Sequence, residues 1–281
     1  MQRFDPLLPA EIARKAERVG AQKTRVDTPS LLALAVLAGA FIALGAMFTT
    51  TVLAGAEGLP FGVSRLVAGG AFCLGLILVI AGGAELFTGN TLIVMAWAAG
   101  EIRMLDMLRV WAIVYVGNFI GAIGTAVLVF LSGQYLSGHD AVAEVALRLA
   151  VDKATLPVDR AFFLGILCNV LVCLAVWLSY GARTISDKVL AIIFPVSAFV
   201  AAGFEHSVAN MYLIPIGLLI KAWGPASLWA SIGSASSYDA LTWPAFLFSL
   251  LPVTAGNIIG GGGLVGAVYW FIYLRPGRSQ P

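Results

Sequence analysis

Charged side chains are absent from four long stretches of this chain, residues 30–56, 110–138, 161–182 and 240–274. A helix needs about 20 apolar residues to cross the hydrocarbon core of a bilayer, and each stretch is long enough. Two further apolar stretches are interrupted by charge. Residues 66–84 stop at Glu85 and resume over 86–100; residues 189–204 stop at Glu205 and His206 and resume over 207–220. The spacing predicts an all-α membrane protein with six transmembrane elements, the second and fifth broken. Composition agrees, since 11% of the residues are charged against about 25% in soluble domains. A formal net charge of +2 and the lack of a long basic run point away from nucleic acid as a partner. Cys73, Cys168 and Cys173 lie in apolar runs without metal-ligand spacing, so no disulfide framework, metal or other cofactor is expected.

A single transmembrane domain over 30–274 is therefore expected, between an N-terminal segment, 1–29, and a tail, 275–281. The first 29 residues carry six Lys/Arg and no apolar core of signal type, so no cleavable signal peptide is expected. Within them "PAEIARKAERVG" reads as a short amphipathic helix, with Pro9 in its first turn and Ile12, Ala13, Ala16 and Val19 on one face. Such a helix lies at the membrane surface, over a pore mouth, or simply in solvent. Six spans starting inside put twelve Lys/Arg on the inner side against five outside, which predicts both termini in the cytoplasm.

The two interruptions resemble each other. "GAELFTGN" (83–90) and "GFEHSVAN" (203–210) both read G-x-E-x-x-x-x-N, 120 residues apart, and "VGNFIG" (116–121) is echoed by "AGNIIG" (255–260). The repeat halves, about 30–138 and 161–274, each hold three spans, so the second enters the membrane inverted. Paired breaks in an inverted repeat point to a central transport site.

Lipid supplies no partner for backbone groups freed at a break. Glu85 and Glu205 are expected to brace these irregular loops by accepting from freed N–H groups, with Asn90 and Asn210 doing similar work. His206 is an asymmetric addition, because the first half has Leu86 at that position. It is either a satisfied structural group or a functional one, able to donate and accept hydrogen bonds and to take a proton near neutral pH.

On "GGAELFTGN", "YVGNFIGA", "GFEHSVANMY" and "TAGNIIGGGGLVGAVYWFIYLR" the chain resembles the formate/nitrite transporter family, and "LGILCNVLVCLAVW" and the leader resemble its formate-channel branch. The resemblance runs from Leu8 to Arg275. It implies an aquaporin-like fold, a homopentamer with one pore per protomer, and passage of small monovalent anions across the bacterial inner membrane. It places His206, Thr88, Lys153 and Asn169 on the transport path. Apolar constrictions fall on Phe72, Leu76, Leu86 and Phe199, and Asn257 holds the loop near Thr88. Gly89 departs from the serine that many formate-channel relatives carry after the threonine, which bears on the preferred anion.

The expected chemistry is passage rather than catalysis. Phe72 and Leu76 are four residues apart and stack on one helical face, and apolar rings exclude hydrated ions. Formic acid titrates roughly near pH 4, so at neutral pH the anion must be attracted and paired. Lys153 would concentrate it, Thr88 would donate a hydrogen bond, and His206 would lend a proton or a donor. Nitrite and hydrosulfide remain open as substrates. An intramembrane hydrolase is disfavoured because His206 and Ser207 are adjacent and no GxSxG motif exists. An ammonium channel would call for two intramembrane histidines and a water channel for paired Asn-Pro-Ala motifs. The glycines Gly117/Gly121, Gly256/Gly260 and Gly262/Gly266 are read as close-packing positions.

Overall fold

A computed structural model describes residues 7–275, and among them all regular structure is helical. In chain order the helices are α1 (Pro9–Lys23), α2 (Thr28–Leu53), α3 (Phe61–Gly82), α4 (Phe87–Asn90), α5 (Val94–Ala98), α6 (Met104–Leu131), α7 (Ala141–Ala154), α8 (Val158–Gly181), α9 (Ile185–Ala201), α10 (Ser207–Trp223), α11 (Ala226–Ile232), α12 (Trp243–Ile258) and α13 (Val268–Tyr273). A nine-residue π-helix, Ile259–Ala267, joins α12 to α13. Among the described residues five helical runs are long and apolar enough to cross a membrane, and a sixth results if α10 and α11, bent by 108°, count as one. The tail over 276–281 lies outside the described residues.

Local chemistry sets the helix starts and stops. Asp27 caps α2 by accepting from Ser30 N at 3.1 Å, with Pro29 in the first turn where no amide partner is needed. Thr184 and Thr242 cap α9 and α12 in the same way. α3 stops at Gly83, whose φ of 79° suits glycine, and the N–H groups of Gly83 and Ala84 both turn back to Val79 O. α9 stops in the same fashion, with Gly203 at φ 74° and Phe204 N bonded to Phe199 O.

Close helix approach organises the interior. A Cβ on Gly121 would strike the Val36 carbonyl of α2, and one on Gly256 or Gly260 would strike the Phe162 or Ile166 carbonyl of α8. Lipid tails are as apolar as leucine, so association in a bilayer depends on such packing and on polar contacts rather than on expulsion of water. The last span continues past α12 as a π-helical stretch, within which Gly260–Gly263 sit.

Two amphipathic helices frame this bundle. α1 buries Ile12, Ala13, Ala16 and Gly20 against α5, α8 and α13, with Val19 half-buried at the edge. Lys15 donates to Tyr180 O at 2.7 Å. Its pKa is held below the usual lysine value by burial and by the neighbouring Lys188 and Arg183 charges. The stretch after His139 forms α7, which buries Val142, Ala143, Val145, Ala146, Leu147 and Ala150 and packs on α10. Its charges Glu144, Arg148, Asp152 and Lys153 interrupt any long apolar run, while the apolar residues between them recur at helical spacing. His139 itself is exposed, at φ 53°.

Gly121→Val should lower the thermal midpoint and the yield of the detergent-purified protein, since overpacking costs about 1–3 kcal/mol. Gly124→Ala, where nothing lies within 4 Å, should behave as wild type.

Candidate functional site

The two breaks meet in the interior and are built alike. After α3 the chain runs extended through Glu85, whose N–H donates to Leu34 O of α2 at 3.1 Å; after α9, Glu205 N donates to Leu164 O of α8 at 3.3 Å. The next helix then starts with an unpaired N–H that lipid cannot satisfy. Asn118 of α6 takes it at the first break, accepting from Phe87 N at 2.8 Å and donating to Ala35 O at 2.7 Å and Glu85 O at 2.9 Å. Asn257 of α12 repeats the pattern, accepting from Ser207 N at 3.0 Å and donating to Gly165 O at 2.8 Å and Glu205 O at 3.0 Å. One carboxamide thus binds the loop on both sides and the neighbouring helix.

The glutamates do something different from the expected capping. Glu85 Oε2 accepts from Asn90 Nδ2 at 2.8 Å and from Lys23 Nζ of α1 at 2.7 Å. Glu205 accepts from Asn210 Nδ2 at 2.7 Å and from Lys153 Nζ of α7 at 2.8 Å. Each buried carboxylate is therefore neutralised by a lysine from the last turn of an amphipathic helix. Lys153 is not a free vestibule charge: its side chain is 16% exposed and committed to Glu205.

The halves differ at one pair. His206 opens α10, and its Nδ1 accepts from Ala209 N at 3.0 Å, an N-cap made by imidazole. Its Nε2 lies 2.9 Å from Thr88 Oγ1 across the gap between the breaks. Because Nδ1 is used as an acceptor, the neutral ring carries its proton on Nε2 and donates to the threonine. The Thr88 hydroxyl keeps its own proton for another acceptor. A second proton, on Nδ1, would oppose the Ala209 N–H. His206 is 3% exposed. Its ring lies 6.0 Å from that of Phe199, which meets Phe72 edge-on at 5.6 Å.

Two cavities approach this pair. One, of about 80 Å³, is lined by Arg65, Phe72, Lys153, Phe199, Leu213 and His206 among others. The second, of about 210 Å³, is lined by Lys23, Leu76, Glu85, Leu86, Asn90 and Tyr180 among others. Phe72 and Leu76, neighbours on α3, thus face different cavities with the partition between them. Thr88 lines neither cavity, and Asn169 sits behind it, donating to Thr88 O at 3.2 Å, Thr91 Oγ1 at 3.1 Å and Asn257 O at 2.6 Å. Among the described residues no three His, Cys, Asp or Glu side chains cluster as metal ligands would.

Sequence reasoning missed Asn118 and Lys23 as parts of this site. Asn118 stands in the repeated Gly-Asn motif, which was the available signal. Lys23 reaches Glu85 over 62 positions of sequence, and no local pattern marks that contact.

Lys153→Met should destabilise the protein, because it leaves the Glu205 carboxylate buried without its cation. Lys153→Met combined with Glu205→Gln should recover much of the thermal midpoint, as followed by unfolding in detergent.

The family model described as formate/nitrite transporter matches residues 10–271. The formate channel FocA of Escherichia coli K12 is 44% identical over 274 residues, covering 97% of this chain and 96% of that protein. The FocA formate channel of Haemophilus influenzae is 39% identical over 262 residues, 92% of each. A solved pentameric formate channel with formate bound superposes with a TM-score of 0.84 at 41% identity, covering 88% of this chain and 98% of that one.

Proposed function

The chain belongs to the formate/nitrite transporter family, and on that premise we propose that it passes formate and similar small monovalent anions across a membrane, through the gap bridged by His206 and Thr88. The observation that carries this function is the 2.9 Å contact between those two side chains, with a cavity on either side of the partition they occupy. Passage, not turnover, is what the site suits. It offers hydrogen-bond donors to a carboxylate in transit, and the His206 nitrogen that faces the Thr88 hydroxyl carries the ring proton and so does not act as a base toward it.

A formate arriving at the partition can replace Thr88 as acceptor of the His206 Nε2–H and accept the Thr88 hydroxyl proton as well. Two donors then stand in for part of the water that the anion sheds. Phe72 and Phe199 on one side, and Leu76 and Leu86 on the other, hold back hydrated ions. Lending the Nε2 proton outright would require Nδ1 to be protonated and the Ala209 cap to be broken. The geometry therefore favours a neutral histidine acting as donor over a proton-lending one. Glu85, Glu205, Asn90, Asn210 and Asn257 support the broken helices, and Asn169 positions Thr88 through its carbonyl.

Six spans in two inverted halves are supported by the matching bonds at the two breaks. Both termini in the cytoplasm of a bacterial inner membrane are supported by the gathering of Lys15, Arg183 and Lys188 beside α1. A homopentamer is supported by the pentameric relative and by outward apolar side chains such as Leu128, Leu131, Phe194 and Phe248, which suit neighbouring subunits or lipid.

Flux into proteoliposomes of formate, nitrite and hydrosulfide, measured in parallel against pH, tests this function; no formate flux above protein-free vesicles would overturn it. His206→Phe should cut formate flux by about 10–100-fold, the equivalent of a hydrogen bond to a charged group. His206→Asn, which keeps an N–H donor but carries no mobile proton, should retain most of the flux if the donor role holds. Thr88→Val should weaken passage of all three anions while size-exclusion profiles stay unchanged.

A further inference from the structure

We propose that Arg65 is the anion-attracting charge of the transport path, a role that the family resemblance had placed on Lys153. The inference rests on the anion-channel function above and adds a residue to it. Charge pairing comes first. The cavity beside His206 has two cations in its lining, Arg65 and Lys153. Lys153 is neutralised by Glu205 at 2.8 Å. The opposite cavity has Lys23 and Glu85, which neutralise each other at 2.7 Å. Among the described residues Arg65 has no carboxylate within ion-pair distance, so its charge is the uncompensated one in either lining.

Position comes second. Arg65 stands in the first turns of α3, and Ala68 and Phe72 follow at three and seven residues on the same face. All three line the cavity, so a row of side chains leads from the guanidinium to the Phe72–Phe199–His206 partition. The head group is held rather than loose. Its Nε donates to Ala201 O at 3.1 Å and its Nη2 to Val200 O at 2.8 Å, at the C-terminal end of α9. A guanidinium has five N–H donors, so these two bonds leave others for a ligand. Lysine-like loss of charge is also barred, since arginine stays protonated.

Room for the head group comes third. A Cβ on Gly203 would lie 3.1 Å from Arg65 Nη2, whereas at Gly83, the matching position of the other break, nothing lies within 4 Å. Arg65 thus packs against the glycine of the second break, and nothing packs against the matching glycine of the first. Arg65 concentrates monovalent anions before they meet the neutral donors of His206 and Thr88, and makes the two mouths of the path electrostatically unequal.

A purely structural Arg65, tying α3 to α9, would make the same two carbonyl bonds, so the test must separate charge from bracing. Formate uptake by proteoliposomes of the full-length protein is measured against formate concentration at low and high salt, for wild type, Arg65→Gln and Arg65→Lys. Electrostatic attraction raises local ion concentration by about tenfold or more. Arg65→Gln should therefore raise half-saturating formate by about three- to tenfold at low salt, with maximal flux little changed. Arg65→Lys should stay within about twofold of wild type. At about 0.5 M salt the gap should close, since screening then acts over a few ångströms. Equal loss of maximal flux in both variants would mean bracing only, and would overturn the proposal. So would Arg65→Gln matching wild type at low salt. Should Arg65→Gln fail to fold, the wild type alone still decides: half-saturation that ignores salt overturns the proposal. Absence of wild-type formate flux would instead overturn the function it rests on.

Discussion

Two carboxamides carry the constraint on which the rest of this structure depends. A helix broken inside a bilayer leaves backbone donors and acceptors that no solvent will satisfy, each at a penalty of several kcal/mol. Asn118 and Asn257 meet that demand with an amide that accepts at one end and donates at the other. Their second donated bond, to Ala35 O or Gly165 O, ties each loop to α2 or α8. Those helices can come so near only because glycine lines the crossings. The glycines, the asparagines and the breaks are one arrangement, and removing any part undoes the others.

Within that frame, charge is present but largely cancelled. Each carboxylate is shared between an asparagine five residues on and a lysine from an amphipathic helix. A buried ion pair of this kind adds little net stability, yet losing one partner is strongly unfavourable. Its effect is to pin α1 and α7 to the breaks and leave a neutral background. On the proposed path, such a background would let a single fixed cation and a pair of neutral donors act on a passing anion, where a crowd of charges would trap it.

Much of the site was legible in the sequence because polar residues inside apolar runs are few and each needs a reason. Glu85, Glu205, His206 and the repeated Gly-Asn motifs stood out on those grounds. What stayed hidden depended on distance or on shape. α7 was masked by four charges that interrupt its apolar residues, and Lys23 meets Glu85 only through the docking of a whole helix. The pairing of Lys153 with Glu205 was not legible, because a lysine reads as free until its carboxylate is placed. That Phe72 and Leu76 serve opposite cavities follows from where the partition crosses α3, which helical periodicity does not encode.

The π-helical turn over Ile259–Ala267 has a consequence for how the last span is threaded. An extra residue per turn shifts everything after it by about 100° around the axis. Asn257, before the turn, must face the second break, while Trp270 and Tyr273, after it, pack with α1 and the leader side of the bundle. A regular α-helix could satisfy one of these two facings but would swing the other toward lipid. The wide turn acts as a phase adjuster between two docking tasks, and its glycines are small enough to let it nestle against Thr91 and Asn169 while doing so.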